Sequence, residues 1–315
     1  MHWGTLSPFL IFVSSPKSSA FFFNRSHICP RLFNVLRQAT TMDSEAKKRL
    51  VYGKDDALFG SIEAQHEHRP FGKVLDAGTG MHSLRWIATL PEKGMTSFTA
   101  ITADTTMQLN VQKEAEALGV DTIGEILIGN WFGSESNRLN LEHQQYDTIL
   151  VDYLIGAMDG FSPYQQDQML PKLTALLKPG GRMYIVGLEP LPDRVDGDAN
   201  VMCRIRQVRD ACILLAGHRC YREYPLEWIE RQCDQIAGLQ LVASKKFPIL
   251  YRHATMVRQI NVARSKLPLF NNSALSKAMA LQLDDLEKES LAATLRSPTG
   301  ALQLGFDYMV TVETD

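Results

Sequence analysis

The stretch from Lys73 to Trp86, Lys-Val-Leu-Asp-Ala-Gly-Thr-Gly-Met-His-Ser-Leu-Arg-Trp, constrains the fold more than any other part of the chain. Lys73, Val74 and Leu75 read as a short buried strand, Gly78 and Gly80 as a tight turn, and Ser83 onward as the first turns of a helix. The two glycines remove Cβ where the backbone turns sharply and another group can approach, and the helix start aims free N–H groups at the same point. Such a unit is a seat for a ligand. A plain tight turn between a strand and a helix shows the same two glycines, so the rest of the chain has to decide.

Further strands follow, and helical spacing separates most of them from the next. Leu84, Trp86, Ile87 and Leu90 recur with helical period until Pro91. Ser97–Ala103 reads as a second strand with Asp104 directly after it, and Met107, Val111 and Leu118 mark a helix closed by Gly119. Ile123–Ile128 is a third strand ending at Gly129-Asn130-Trp131, and Tyr146–Val151 a fourth with Asp152 and Tyr153 at its end. Met169–Leu177 is helical, Lys178-Pro179-Gly180-Gly181 is a turn, and Met183–Leu188 is a fifth strand ending at Glu189. Alternation of this kind specifies an α/β fold, a doubly wound and mainly parallel sheet with helices on both faces. In such sheets the ligand crevice lies beyond the C-terminal ends of the strands, where Asp76, Asp104, Asn130, Asp152 and Glu189 all fall.

The last third departs from this pattern. Helices at Val201–Leu215 and Leu226–Ile236 precede a sixth strand from Gly238 and a seventh at Phe306–Val312. Between these strands lies a helical insertion, about residues 250–305, with helical spacing at Thr255–Ala263 and Ala274–Leu295. A hairpin needs only a few connecting residues. The insertion is expected to be a cover over the crevice or an added packing or dimer surface.

Composition narrows the classes. A net charge of −2 offers no basic field for nucleic acid, and no apolar run reaches the length of a membrane span. Cys29, Cys203, Cys212, Cys220 and Cys233 show neither Cys-x-x-Cys nor zinc spacing, so they read as reduced thiols, and no metal site is expected. Residues 1–42 contain Lys17, Arg25, Arg31 and Arg37 but no acid, the composition of a targeting leader. Its short apolar run Phe9–Val13, followed by Ser18-Ser19-Ala20 before Phe21, resembles a two-part plastid leader. The expected location is therefore an organelle, plastid or mitochondrion, for a domain spanning 43–315; the other reading is an upstream extension, a start at Met42 and a cytosolic protein.

Val74-Leu75-Asp76-Ala77-Gly78-Thr79-Gly80, Asp104 after the second strand, Gly129-Asn130 after the third and Leu177-Lys178-Pro179-Gly180-Gly181 before the fifth together resemble the class I, Rossmann-like methyltransferases that use S-adenosylmethionine. The resemblance covers Val74–Val186, and Phe306-Asp307-Tyr308 fits that family's reversed last strand. It implies a seven-stranded sheet with the last strand antiparallel, and S-adenosylmethionine as cofactor. Asp76, Gly78 and Gly80 would hold the methionine part of the donor, Asp104 the two ribose hydroxyls, Asn130 the adenine edge and Trp131 its face. Asp104 as a helix cap and Asn130 as a turn residue are the plainer readings. A dinucleotide loop would carry a third glycine at 83, which is Ser83, whereas the methyltransferase pattern often carries one at 82, which is His82. That imidazole caps the helix, faces solvent or borders the cofactor.

Asp152 and Tyr153 sit where this family meets its acceptor, so they are the catalytic candidates, with Asp152 orienting or deprotonating the acceptor; Glu189 is a second candidate against the reading of a solvated strand end. Tyr52, Tyr153, Met158, Phe161 and Tyr164 form an aromatic and apolar set suited to a small-molecule acceptor. Arg204, Arg206 and Arg209 are either a site for an acidic acceptor or a solvated helix face. Two other functions compete. One is an aminopropyltransferase using the decarboxylated donor, for which paired carboxylates beyond Asp152 and Asp159 are not evident; the other is a catalytically silent binding protein.

Overall fold

The computed structural model describes residues 57–133, 139 and 141–315. The leader, Cys29 and Tyr52 lie outside these residues. The elements run α1 (Ala57–His66), β1 (Gly72–Asp76), α2 (Met81–Ile87), β2 (Met95–Thr102), α3 (Thr105–Leu118), β3 (Gly124–Ile128), β4 (Tyr146–Asp152), α4 (Leu154–Phe161), α5 (Gln166–Thr174), β5 (Leu177–Leu188), α6 (Asn200–Leu215), α7 (Leu226–Asp234), β6 (Leu239–Arg252), α8 (His253–Lys266), α9 (Ser273–Arg296) and β7 (Ala301–Thr314). The strands form one seven-stranded sheet in the order β3-β2-β1-β4-β5-β7-β6. β1 to β5 are parallel, and β7 runs antiparallel to both of its neighbours.

The two faces are sorted by the period-2 alternation of the strands. On β5, Met183 and Ile185 join the cluster beneath α4, α5 and α7, whereas Tyr184 and Val186 join the cluster beneath α1, α2 and α3. On β1, Leu75 serves the first face and Val74 the second. All six side chains are at most 1 % exposed, and each such burial contributes roughly 1.5–3 kcal/mol. Gly187 faces Tyr308 across the β5–β7 ladder, where a Cβ would stand 2.3 Å from the phenol oxygen. The missing side chain lets the buried ring cross β5 and donate to Tyr224 O at 2.8 Å.

Three boundaries differ from the sequence reading, each for a local reason. The first glycine-loop helix begins at Met81 and ends at Ile87, and Pro91 lies in a separate 3-10 turn, Leu90–Lys93. Lys178-Pro179-Gly180-Gly181 is a turn inside a strand. Tyr146 pairs with Leu177 before it and Thr148 with Arg182 after it, with Gly180 in the left-handed region that only glycine adopts freely (φ 71°). The insertion is narrower than expected, because β6 continues to Arg252 and pairs there with Ala301 of β7. Its helices α8 and α9 pack with α6 into a third cluster, built on Cys203, Met256, Ile260, Leu283 and Leu286.

Candidate active site

The loop after β1 crosses the C-terminal edge of the sheet and is tied down on three sides. Ala77 N donates to Leu150 O (2.9 Å), Thr79 N to Ile101 O (2.7 Å), and the indole Nε1 of Trp131 to Ala77 O (2.7 Å). Gly80 caps α2, its N–H donating to Ser83 Oγ at 3.0 Å. Neither Gly78 nor Gly80 is among the positive-φ residues, so their use here is room, not backbone twist. A Cβ on Gly78 would press on Leu154 at 3.0 Å, which brings the start of α4 against the loop.

A cavity of about 380 Å³ opens beyond these strand ends. Gly78, Asp104, Asn130, Trp131, Asp152 and Tyr153 all line it, so six of the eight residues singled out in the sequence converge on one space. Asp76 and Gly80 are not on its surface. Asp76 lies directly under the loop, fully buried, and both of its oxygens lack a hydrogen bond of good geometry; the Thr79 hydroxyl is likewise orphaned. Burial pushes the Asp76 carboxyl up to about 6, tempered by the nearby Ser83 and Thr79 hydroxyls and the Gly78 amide. A buried carboxylate without a well-formed hydrogen bond under a glycine loop is a poor structural element and a good counter-charge for a cationic ligand.

The plainer readings hold alongside the functional ones. Asp104 caps α3, its Oδ1 accepting from Met107 N at 2.7 Å, while the residue also lines the cavity. Asn130 is more committed than expected. Its Nδ2 donates to Phe161 O (2.9 Å), and its Oδ1 accepts from Phe132 N (3.1 Å) and Ser162 Oγ (2.5 Å). The amide therefore pins the loop after β3 to the end of α4, with both acceptor positions used. Trp131 is 7 % exposed and braces the glycine loop through its indole. His82 is half-buried on the cavity wall, its ring 5.0 Å from that of Phe59.

Where β4 passes into α4, Tyr153 precedes the helix with φ 50° and ψ 16°, a left-handed conformation that costs a non-glycine residue about 1 kcal/mol or more. Its N–H donates to Val186 O at 3.0 Å, which holds the kink between β4 and α4. The residue is 37 % exposed and borders the cavity, while its phenol end hydrogen-bonds Asp307; desolvation of that phenol first, then the Asp307, Asp152 and Glu223 charges, hold its pKa well above the ordinary value. Glu223 is pushed up to about 7 by burial, against the pull of Arg209. Tyr251 is raised in the same way.

Glu223, Tyr251 and Asp307 were missed in the sequence because three distant segments supply them. Only for Asp307 was there a signal, an acid at the centre of the alternating strand Phe306–Val312. Other candidates fall away from the cavity. Glu189 is neither solvated nor on the wall: it pairs with Lys246 (2.7 Å) and accepts from Leu226 N (3.3 Å). Tyr164 is 79 % exposed beside Arg219, whereas Met158 and Phe161 do line the space. Arg204 pairs with Glu289, Arg206 with Asp193 and Arg209 with Asp210, at 2.6, 2.8 and 2.7 Å, which absorbs the charge expected for an acidic acceptor. The insertion reaches the cavity through Thr255 and Gln259 of α8, so it forms part of the wall as well as a packing layer. Among the described residues no group of three His, Cys, Asp or Glu is placed to hold a metal ion, no helix is long and apolar enough to cross a membrane, and the four cysteines are buried and unpaired.

No protein-family model matches the sequence, and neither does any curated protein. Solved structures do resemble it. The YcgJ protein of Bacillus subtilis superposes with a TM-score of 0.50 at 17 % identity, covering 82 % of this chain and 97 % of its own. A candidate methyltransferase of Bacillus halodurans gives 0.50 at 13 % identity, covering 83 % and 99 %. An S-adenosylmethionine-dependent methyltransferase of Thiobacillus denitrificans, solved with S-adenosyl-L-homocysteine, gives 0.46 at 14 %, covering 91 % and 99 %. With its parallel β3-β2-β1-β4-β5 core, its reversed β7 and the glycine loop at the C-terminal end of β1, the chain has the Rossmann-like fold of the class I S-adenosylmethionine-dependent methyltransferases.

Proposed function

We propose that the protein is an S-adenosylmethionine-dependent methyltransferase with a small-molecule acceptor. The observation that carries this reading is the buried Asp76 carboxylate without a well-formed hydrogen bond beneath a clamped glycine loop, with Asp104 one strand away on the cavity beyond that loop. The donor is a sulfonium nucleoside with an ammonium and a ribose diol and no phosphate. Its positive charges suit Asp76, and its diol suits a carboxylate that has one oxygen left after capping α3. Bound there, it would supply a methyl group already activated for in-line displacement.

The chain's own work is then to align an acceptor and exclude water. Tyr153 and Asp152, at the kink after β4, hold the acceptor against the cavity wall, and Asp152 orients it or takes its proton. The α8 wall and the Trp131 loop close the sides. Incubation with S-adenosylmethionine and a small-molecule extract should release S-adenosylhomocysteine only when the extract is present. Asp152→Asn should lower kcat at saturating acceptor by about tenfold or more. Unchanged turnover in that variant would remove Asp152 from the role, and absence of the thioether product under all conditions would remove the activity.

Aminopropyl transfer is the second reading, and the carboxylates that join Asp152 at the acceptor end, Glu223 and Asp307, give it support that the sequence did not. The two donors separate them, since only the decarboxylated compound would yield methylthioadenosine.

A further inference from the structure

The acceptor end of the cavity has one sign of charge. Asp152 closes β4, Asp307 lies on β7 opposite Leu188, and Glu223 comes from the segment before α7; all three line the cavity, and among the described residues no lysine or arginine does. Glu223 has the features of a group awaiting a ligand. It accepts no hydrogen bond from the described residues, it is half-buried on the cavity wall, and the cation that acts on it, Arg209, is engaged with Asp210 and Gln259 at 2.7 and 2.6 Å. The fold makes room for it: a Cβ at Gly156 of α4 would stand 2.6 Å from Glu223 Oε2. Tyr153, Tyr221 and Tyr251 complete this wall, and aromatic rings are favourable neighbours of an organic cation.

We infer, resting on the methyltransferase reading above, that the acceptor is an amine, whose nitrogen is received as a cation among Glu223, Asp152 and Asp307. An acid would be repelled by these three groups, and a neutral hydroxyl would bring no positive charge to Glu223 beyond that of the already engaged Arg209. In the transfer, Glu223 takes one proton from the ammonium, and the freed lone pair forms the new N–C bond. The C–S bond of the sulfonium breaks as it forms, and its electron pair stays on sulfur, which becomes a neutral thioether. The product nitrogen carries a positive charge again, and the proton passes from Glu223 to solvent.

The test uses the full chain, a metabolite extract and S-adenosylmethionine carrying a deuterated methyl group, with products separated by cation exchange and fragmented in a mass spectrometer. The expected result is label on the nitrogen of a product retained as a cation. Glu223→Gln should bind S-adenosylhomocysteine as the wild type does but form that product about tenfold more slowly or worse, through a raised KM for the amine and a lowered kcat. Label on oxygen, carbon or sulfur overturns the assignment, as does a variant with unchanged KM and kcat, or no labelled product from an enzyme that binds the donor. Failure to bind S-adenosylmethionine at all overturns the methyltransferase reading itself and is seen separately, by titration before any acceptor is added.

Discussion

Asp76→Asn is expected to make the ligand-free protein more stable at pH 7.5 while weakening its hold on S-adenosylmethionine. The Asp76 carboxyl is fully buried without a good hydrogen bond, and its pKa is raised from 3.8 to about 6. A raised carboxyl binds its proton more tightly in the folded state, so folding is penalised once the group must ionise. The penalty is absent below about pH 4, grows as pH rises through the interval to about 6, and is constant above it, at roughly 3 kcal/mol from the size of the shift. Asparagine removes the charge, and Thr79 Oγ1, which lacks a partner, is an acceptor at hand for the new amide. After the cost of fitting that amide, a net gain of about 1–3 kcal/mol should remain at pH 7.5. Denaturant unfolding at pH 7.5 and pH 4 measures it, and the difference between variant and wild type should shrink toward zero at the lower pH. Donor affinity should fall about tenfold, as expected for loss of a buried counter-charge. A variant that is less stable at pH 7.5, or whose stability difference ignores pH, would show that the carboxylate belongs to the architecture and not to the ligand.

Asp104 should separate two roles carried by one side chain. Its Oδ1 caps α3 at 2.7 Å from Met107 N, so Asp104→Ala should cost about 1 kcal/mol of stability. If the side chain also holds the ribose diol, the same variant loses a charge-assisted contact, and its dissociation constant should rise about a hundredfold, which is about 2.7 kcal/mol. Asp104→Asn retains a cap oxygen but not the charge. It should recover the stability and still bind the donor about tenfold more weakly than the wild type. Wild-type affinity in both variants would leave Asp104 as a cap alone.

The sheet was legible because its central strands are buried on both faces and read as apolar runs closed by Gly, Asp or Asn, as at Val74–Ala77 and Ile149–Asp152. The ends were less so. Leu177–Gly181 combines proline and two glycines, which read as a turn, and only pairing with Tyr146 and Thr148 shows that β5 passes through it. β6 is the outer strand of the sheet, and its exposed Leu241, Val242 and Leu250 blur the alternation that marks a half-buried strand. The residues proposed for the cofactor lie at successive strand ends close in sequence to the glycine loop, so local patterns could propose them. The residues proposed for the acceptor are brought together by topology. β7 inserts between β5 and β6 and carries Asp307 to the end of β4, while the chain before α7 carries Glu223 against Gly156, and no local spacing announces either meeting. Asn130 shows the converse: a residue suited to reading an adenine edge spends its amide on Phe161, Phe132 and Ser162 and so fixes the loop after β3.

Calorimetric titration of the wild-type chain with S-adenosylmethionine at pH 7.5 tests the central claim most directly. One site with a dissociation constant of micromolar order is expected, competed by S-adenosylhomocysteine and weakened in the Asp76→Asn and Asp104→Asn variants. No heat and no competition, or equal binding in all three proteins, would contradict a sulfonium nucleoside seated between β1 and β2.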